Sequence, residues 1–307
     1  MKTAFLFSGQ GAQYPGMIKD LYETEPAVKA VFDSADKVLN RKISELCFSG
    51  TQEELNLTHN TQPCVLAADL AAGMCLKAHG IMPDAAAGFS LGEYAALAFA
   101  GSMSTDEAFR IIQIRADAMQ EAVAPGEGAM AAFVGITPEQ AEIICEQAGA
   151  YVVPANYNSP VQTVVSGTAK GVDRACEIAE AQGFRCVKLA VSAPFHCKLM
   201  EPAAMKLKEV FSSITFLKPA IPVYMNVNGR QPEETDNISD LLVKQAMSPV
   251  RWVQTLQKMR EDGIDTFIEC GPGRTLSGLV KKTLKDVTVL RVEDSKTLMN
   301  TLEAMKA

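Results

Sequence analysis

The chain has no apolar run approaching the roughly 20 residues that a membrane-spanning helix needs, so no membrane partner is expected. It has no excess of basic residues either. The formal net charge is −7, which argues against wholesale nucleic-acid binding. Its eight cysteines include no Cys-x-x-Cys pair, nothing suggests zinc, and no metal is expected. Such cysteines are expected to be reduced, mostly buried thiols. The opening Met1–Ser8 carries a single positive charge and too short an apolar core for a signal peptide. It reads as a buried first strand, and the expected location is the cytoplasm. Histidine is scarce: His59, His79 and His196 are all there is. Against these absences the bulk is ordinary, with 48% hydrophobic and 21% charged residues. A length of 307 residues suffices for one large core and a smaller companion domain.

What is present centres on Gly88-Phe89-Ser90-Leu91-Gly92, between an apolar approach (Asp84–Ala87) and a helix-forming run (Glu93–Ala100). Gly-x-Ser-x-Gly at a strand-to-helix turn is the nucleophile elbow. Such a turn strains the serine backbone, and a Cβ at position 88 or 92 would crowd it. The hydroxyl of Ser90 is thereby raised toward substrate at a helix N-terminus, where free N–H groups favour negative charge. An oxyanion hole needs a second N–H beside that of Leu91. The loop Ser8–Gln13, with two glycines just past the first strand (Thr3–Phe7), is the best source, through Gln10.

From Asp20 to Gly80 the pattern is helical. Thr51 opens a capped helix, and Thr61-Gln62-Pro63 opens a buried Ala-rich helix reaching Ala78. His59 falls in the loop before that helix and His79 at its C-terminal end, where an imidazolium is favourable in itself. Neither is assigned a catalytic role. Ser104 caps a further helix to Val123, with Phe109, Ile112, Ala116 and Met119 on one face. Arg115 borders this stripe. It either reaches water or pairs with Asp117 or Glu121, or it holds a substrate carboxylate as a bidentate fork.

Residues 126–190 read β-α-β-β-α-β, the ferredoxin-like unit, and the chain then returns to an α/β pattern. This implies an inserted small domain, 126–190, beside a large one made of 1–125 and 191–307, with a ligand cleft between them. The chain leaves the insert through Ser192-Ala193-Pro194-Phe195-His196. His196 is the only histidine after Ser90, which makes it the leading general base. No acid between the two stands out as a third member, so a backbone or amide carbonyl is an alternative means of orienting the imidazole.

The stretches Phe7–Gln13, Asn60–Pro63, Gly88–Tyr94, Gln113–Arg115, Ala155–Pro160, Ser192–His196 and Glu269–Gly273 together resemble the malonyl-CoA:acyl-carrier-protein transacylases of type II fatty-acid synthesis. They occur in family order over essentially the whole chain. The resemblance implies an α/β fold, with an α/β-hydrolase-like large domain and an inserted ferredoxin-like small domain. It implies Ser90 as nucleophile, His196 as base, Gln10 and Leu91 as oxyanion donors, and Arg115 on the malonyl carboxylate. It also implies that the backbone carbonyl of Gln245 orients the histidine. The implied reaction is malonyl transfer from malonyl-CoA to the phosphopantetheine thiol of an acyl carrier protein, through a malonyl-serine intermediate. No cofactor is implied, and a monomer is expected.

One departure from the family is Phe89, where a histidine is usual. It removes a polar neighbour from the nucleophile and bears on acyl selectivity. Phe195 matches the malonyl version and disfavours branched acyl groups by crowding. A stand-alone acyltransferase loading a polyketide synthase carrier shares every motif. A hydrolase would give Arg115 no role, and a non-catalytic acyl-CoA binder would need neither Ser90 nor His196. Lys188, Lys198, Arg274, Lys281 and Lys282 are the candidates for a basic patch facing an acidic carrier protein.

Overall fold

The computed structural model describes residues 2–191 and 193–306; Ser192, quoted in the motif above, lies outside them. In chain order, β1 (Thr3–Phe7) is followed by α1 (Lys19–Thr24), α2 (Pro26–Leu39), α3 (Ile43–Ser49), α4 (Gln52–Asn56) and α5 (Thr58–Ala78). Next come β2 (Ala85–Gly88), α6 (Gly92–Phe99) and α7 (Thr105–Glu121). A β-α-β-β-α-β run follows: β3 (Gly128–Val134), α8 (Pro138–Gln147), β4 (Val152–Ser159), β5 (Gln162–Thr168), α9 (Ala169–Ala181) and β6 (Arg185–Lys188). The chain ends with α10 (Glu201–Phe211), β7 (Val223–Tyr224), α11 (Ile238–Gln245), α12 (Trp252–Glu261), β8 (Thr266–Cys270), α13 (Thr275–Thr283), β9 (Thr288–Val292) and α14 (Ser295–Ala304).

Two sheets result. The larger is parallel, in the order β7-β2-β1-β8-β9. A parallel sheet needs cover on both faces, and β1 shows how that is met. Alternate residues point to opposite faces: Phe5 and Phe7 enter the core built with α5, α6 and α7, while Ala4 and Leu6 enter a second core with Trp252, Leu256 and Leu276. The smaller sheet is antiparallel, in the order β4-β5-β3-β6, with α8 and α9 packed on one face. This is the ferredoxin-like arrangement, inserted between the halves of an α/β-hydrolase-like unit.

Helix α5 corrects two expectations. It begins at Thr58, so His59 is helical and Pro63 lies inside the helix. Proline removes the hydrogen bond to the carbonyl four residues earlier. That carbonyl, on His59, is satisfied by Arg41 Nη1 at 3.2 Å and Gln113 Nε2 at 3.3 Å. A second correction concerns the cysteines. Packing of α9 on β6 sets Cys176 opposite Cys186, and these are joined as a disulfide with Cα atoms 5.6 Å apart. The other six are free and buried, as expected of thiols in a core.

Candidate active site

The nucleophile elbow is built where β2 ends and α6 begins. Ser90 takes φ 56°, a left-handed conformation uncommon outside glycine. The flanking glycines make this possible. A Cβ on Gly88 would lie 1.8 Å from the Gly92 carbonyl oxygen, and one on Gly92 would lie 2.4 Å from the carbonyl oxygens of Phe7 and Ser8. The Phe89 N–H donates to the Phe7 carbonyl at 2.9 Å, tying the elbow to the end of β1.

The Ser90 hydroxyl lies 2.7 Å from His196 Nε2, across 106 residues of sequence. His196 also has a left-handed backbone, φ 59°, and is 3% exposed. Its Nδ1 is 2.9 Å from the Gln245 carbonyl oxygen. A carbonyl can only accept, so the proton resides on Nδ1 and Nε2 offers its lone pair to the serine O–H. Gln245 closes α11, and a helix-end carbonyl lacks its intrahelical donor. Burial, and then the charge of Arg115, push the His196 pKa down to about 4, so the imidazole is neutral near pH 7 and ready to take a proton.

Arg115 points from α7 into the same place. It is 1% exposed. Neither Asp117 nor Glu121 pairs with it; Asp117 accepts from Gln113 Nε2 at 2.9 Å instead. The guanidinium donates to Gln62 Oε1 at 2.6 Å, Gln245 Oε1 at 3.0 Å and Ser90 Oγ at 3.2 Å. The Tyr94 ring lies 5.3 Å from its central carbon. Nε has no partner, and none of the three acceptors is a carboxylate. Burial pushes the Arg115 pKa down while nearby Tyr94 and Glu93 oppose it without forming an ion pair, so a further anion at the guanidinium is favourable.

Gln10 and Leu91 both line a cavity of about 220 Å³ that opens over Ser90. Among the described residues neither backbone N–H finds a protein acceptor. The Gln10 side chain reaches Thr58 Oγ1 at 3.2 Å. Below that loop the buried Asp69 accepts from Ser8 Oγ at 2.6 Å. Phe195 and Phe89 also line the cavity, with Phe89 packed edge-on against Trp252 at 5.3 Å. The Gly271 loop sits against Asp69, and Leu276 and Leu279 of α13 form part of the cavity wall.

Sequence reasoning missed three contributors. Asn226 is fully buried just after β7. Its Oδ1 accepts the Ser90 N–H at 2.8 Å and its Nδ2 donates to the Gly88 carbonyl at 2.7 Å. Glu93 accepts the Asn226 N–H at 2.6 Å, and burial raises its pKa to about 8. Gln62 carries one arm of the Arg115 fork. The side chain of Gln245 adds a role beyond its carbonyl: Nε2 donates to the Ser90 carbonyl at 2.8 Å. An amide and a carboxylate give no local pattern from which these contacts could be read.

The acyl transferase domain model matches residues 4–301. This chain belongs to the acyl transferase family, among the malonyl CoA-acyl carrier protein transacylases. It is 45% identical to the Bacillus subtilis malonyl CoA-acyl carrier protein transacylase over 309 aligned positions, covering 99% of this chain and 98% of that protein. The crystal structure of the Clostridium perfringens transacylase superposes with a TM-score of 0.97 at 42% identity, covering 100% of this chain and 98% of that one. A malonyl-transacylase solved in complex with its type II PKS acyl-carrier protein superposes with a TM-score of 0.96 at 39% identity, covering 99% and 100%. The family resemblance of the motifs thus extends to the whole fold.

Proposed function

We propose that this chain transfers the malonyl group of malonyl-CoA to the phosphopantetheine thiol of an acyl carrier protein, through a malonyl ester on Ser90, in fatty-acid synthesis. The observation that carries this reading is the buried Arg115 guanidinium, without a carboxylate partner, 3.2 Å from the Ser90 hydroxyl. It supports placing the free carboxylate of a dicarboxylic acyl group on Arg115. A hydrolase acting on a plain acyl chain would leave that charge unpaired.

In the first half-reaction Ser90 Oγ attacks the thioester carbonyl while His196 Nε2 takes its proton. The N–H groups of Gln10 and Leu91 hold the oxyanion. The C–S bond breaks, and coenzyme A leaves with the proton from His196. In the second half-reaction the carrier thiol gives its proton to His196 and attacks the ester. The C–O bond to Ser90 breaks, and the serine recovers the proton. Gln245 keeps Nδ1 protonated throughout, as an acid would in a conventional triad, but without a second buried charge. Malonyl-CoA enters as substrate and no cofactor takes part. We infer a monomer and place it in the cytoplasm.

The exposed Arg274, at the start of α13, and Lys281 and Lys282, in its last turn, are the groups we assign to the acidic carrier protein, since α13 helps wall the cavity. Lys188 is engaged with Asp173 at 2.7 Å. The neighbour solved with a type II PKS acyl-carrier protein keeps a second acceptor in view, a polyketide synthase carrier.

Intact-protein mass spectrometry tests the reading. Malonyl-CoA should give a malonyl adduct that is absent from Ser90→Ala and passes to holo carrier protein. Loss of the adduct at the same rate with and without carrier protein would mean hydrolysis. Supplying fatty-acid and polyketide carriers in separate reactions distinguishes the two acceptors.

A further inference from the structure

Far along α5 from the Gln62 end, a second group of reactive side chains comes together. Cys75 and His79 are four residues apart at the C-terminus of α5 and so share a face. Glu25 stands between α1 and α2, its N–H bonded to the Leu21 carbonyl at 2.7 Å and followed by Pro26 in the first turn of α2. Its carboxylate lies 3.1 Å from His79 Nε2. One ligand atom from each of Glu25, Cys75 and His79 lies within 4.8 Å of the other two. Cys75 is fully buried, while His79 opens to solvent.

We propose that Glu25, Cys75 and His79 form a binding site for a thiophilic divalent transition-metal ion such as Zn²⁺, with water as a fourth ligand on the solvent side. One sulfur, one nitrogen and one oxygen donor suit tetrahedral Zn²⁺ or Co²⁺ and are wrong for Mg²⁺ or Ca²⁺, which require oxygen ligands. Binding exchanges the Cys75 S–H for a metal–sulfur bond and releases that proton to solvent. The Glu25–His79 contact gives way to two metal bonds, with the imidazole binding in its neutral form. The ion clamps the α1–α2 junction to the end of α5. It lies outside the acyl-transfer chemistry and strengthens the scaffold that carries Gln62.

The test uses the full chain stripped with chelator and titrated with Co²⁺. Expected is a thiolate-to-cobalt charge-transfer band saturating at one ion per chain and bleached by Zn²⁺. His79→Ala and Glu25→Gln should each weaken binding at least about tenfold, and Cys75→Ser should abolish the charge-transfer band. Zn²⁺ should raise the melting temperature of the unaltered protein and not that of His79→Ala, while malonyl transfer by His79→Ala stays unchanged. Cys75 lies in the core and its variant could fail to fold, so partly exposed His79 provides the independent arm. No band, or a band as strong in His79→Ala and Glu25→Gln as in the unaltered chain, overturns the proposal.

Discussion

Replacing Arg115 with alanine should change which acyl group this enzyme loads more than whether it loads one. In the free enzyme the guanidinium is 1% exposed and donates to two glutamine oxygens and the Ser90 hydroxyl. In the proposed reading a malonyl carboxylate supplies the counter-charge in a dry site. Removing one member of such a buried pair costs about 3–5 kcal/mol. At about 1.4 kcal/mol per tenfold, kcat/KM for malonyl-CoA should fall by two to more than three orders of magnitude. Acetyl-CoA has no carboxylate to lose, and the substitution removes the unpaired charge that disfavours it, so its rate should change far less. The readout is the rate of acyl-Ser90 formation from each donor, followed by intact mass. The alanine variant also strands Gln62 Oε1 and Gln245 Oε1, at about 1–3 kcal/mol each. The acetyl rate and a thermal melt measured on the same preparation separate that structural cost from lost recognition. A malonyl-to-acetyl ratio within about threefold of the unaltered enzyme, in a folded variant, would falsify the assignment of Arg115 to the acyl carboxylate.

Four further outcomes follow from the geometry. Loading of Ser90 should be flat from pH 8 to about 5 and half lost near pH 4, the value to which burial and then Arg115 depress His196; a limb near pH 6.5 would show that the imidazole is not held in this environment. Because the unfolded chain protonates His196 first, its contribution to stability is fully present above pH 6.5 and is lost as pH falls through about 4. It amounts to roughly 3 kcal/mol, and urea titrations compared between the unaltered protein and His196→Gln should show it; parallel curves would remove it. Asn226→Ala orphans the Ser90 N–H and the Gly88 carbonyl and should slow loading roughly 10- to 100-fold, with Asn226→Asp intermediate because it keeps the acceptor; full speed in the alanine variant would mean the elbow needs no such brace. Gly88→Ala puts a Cβ 1.8 Å from the Gly92 carbonyl oxygen and should lower the melting temperature by at least roughly 6 °C; a melt matching the unaltered protein would show that the turn can relax.

Much of this protein is legible in local sequence. The bounds of β1, the elbow glycines, and the caps at Thr51 and Ser104 all follow from short-range sterics and hydrogen bonds. The order of elements in the inserted unit is legible for the same reason. His196 could be reached by elimination because only three histidines exist. Pro63 shows where local reasoning fails. As punctuation it marks a helix start, but Arg41 and Gln113 arrive from elsewhere in the chain to satisfy the carbonyl it frees, and so the helix begins earlier.

The active site depends on such convergence. Gln245 reaches Ser90 across 155 residues, Asn226 reaches it across 136, and Gln62 reaches Arg115 across 53. Amides and carboxylates have no preferred spacing that would announce these contacts. The cluster of Glu25, Cys75 and His79 is hidden in the same way, because Glu25 comes from a different helix junction. The sequence by itself determined the candidate nucleophile, the turn that presents it and the layered α/β plan, because each is encoded by neighbours in the chain. Which amides hold the guanidinium and what braces the elbow were decided only by the tertiary structure, because those bonds form between segments that folding alone brings together.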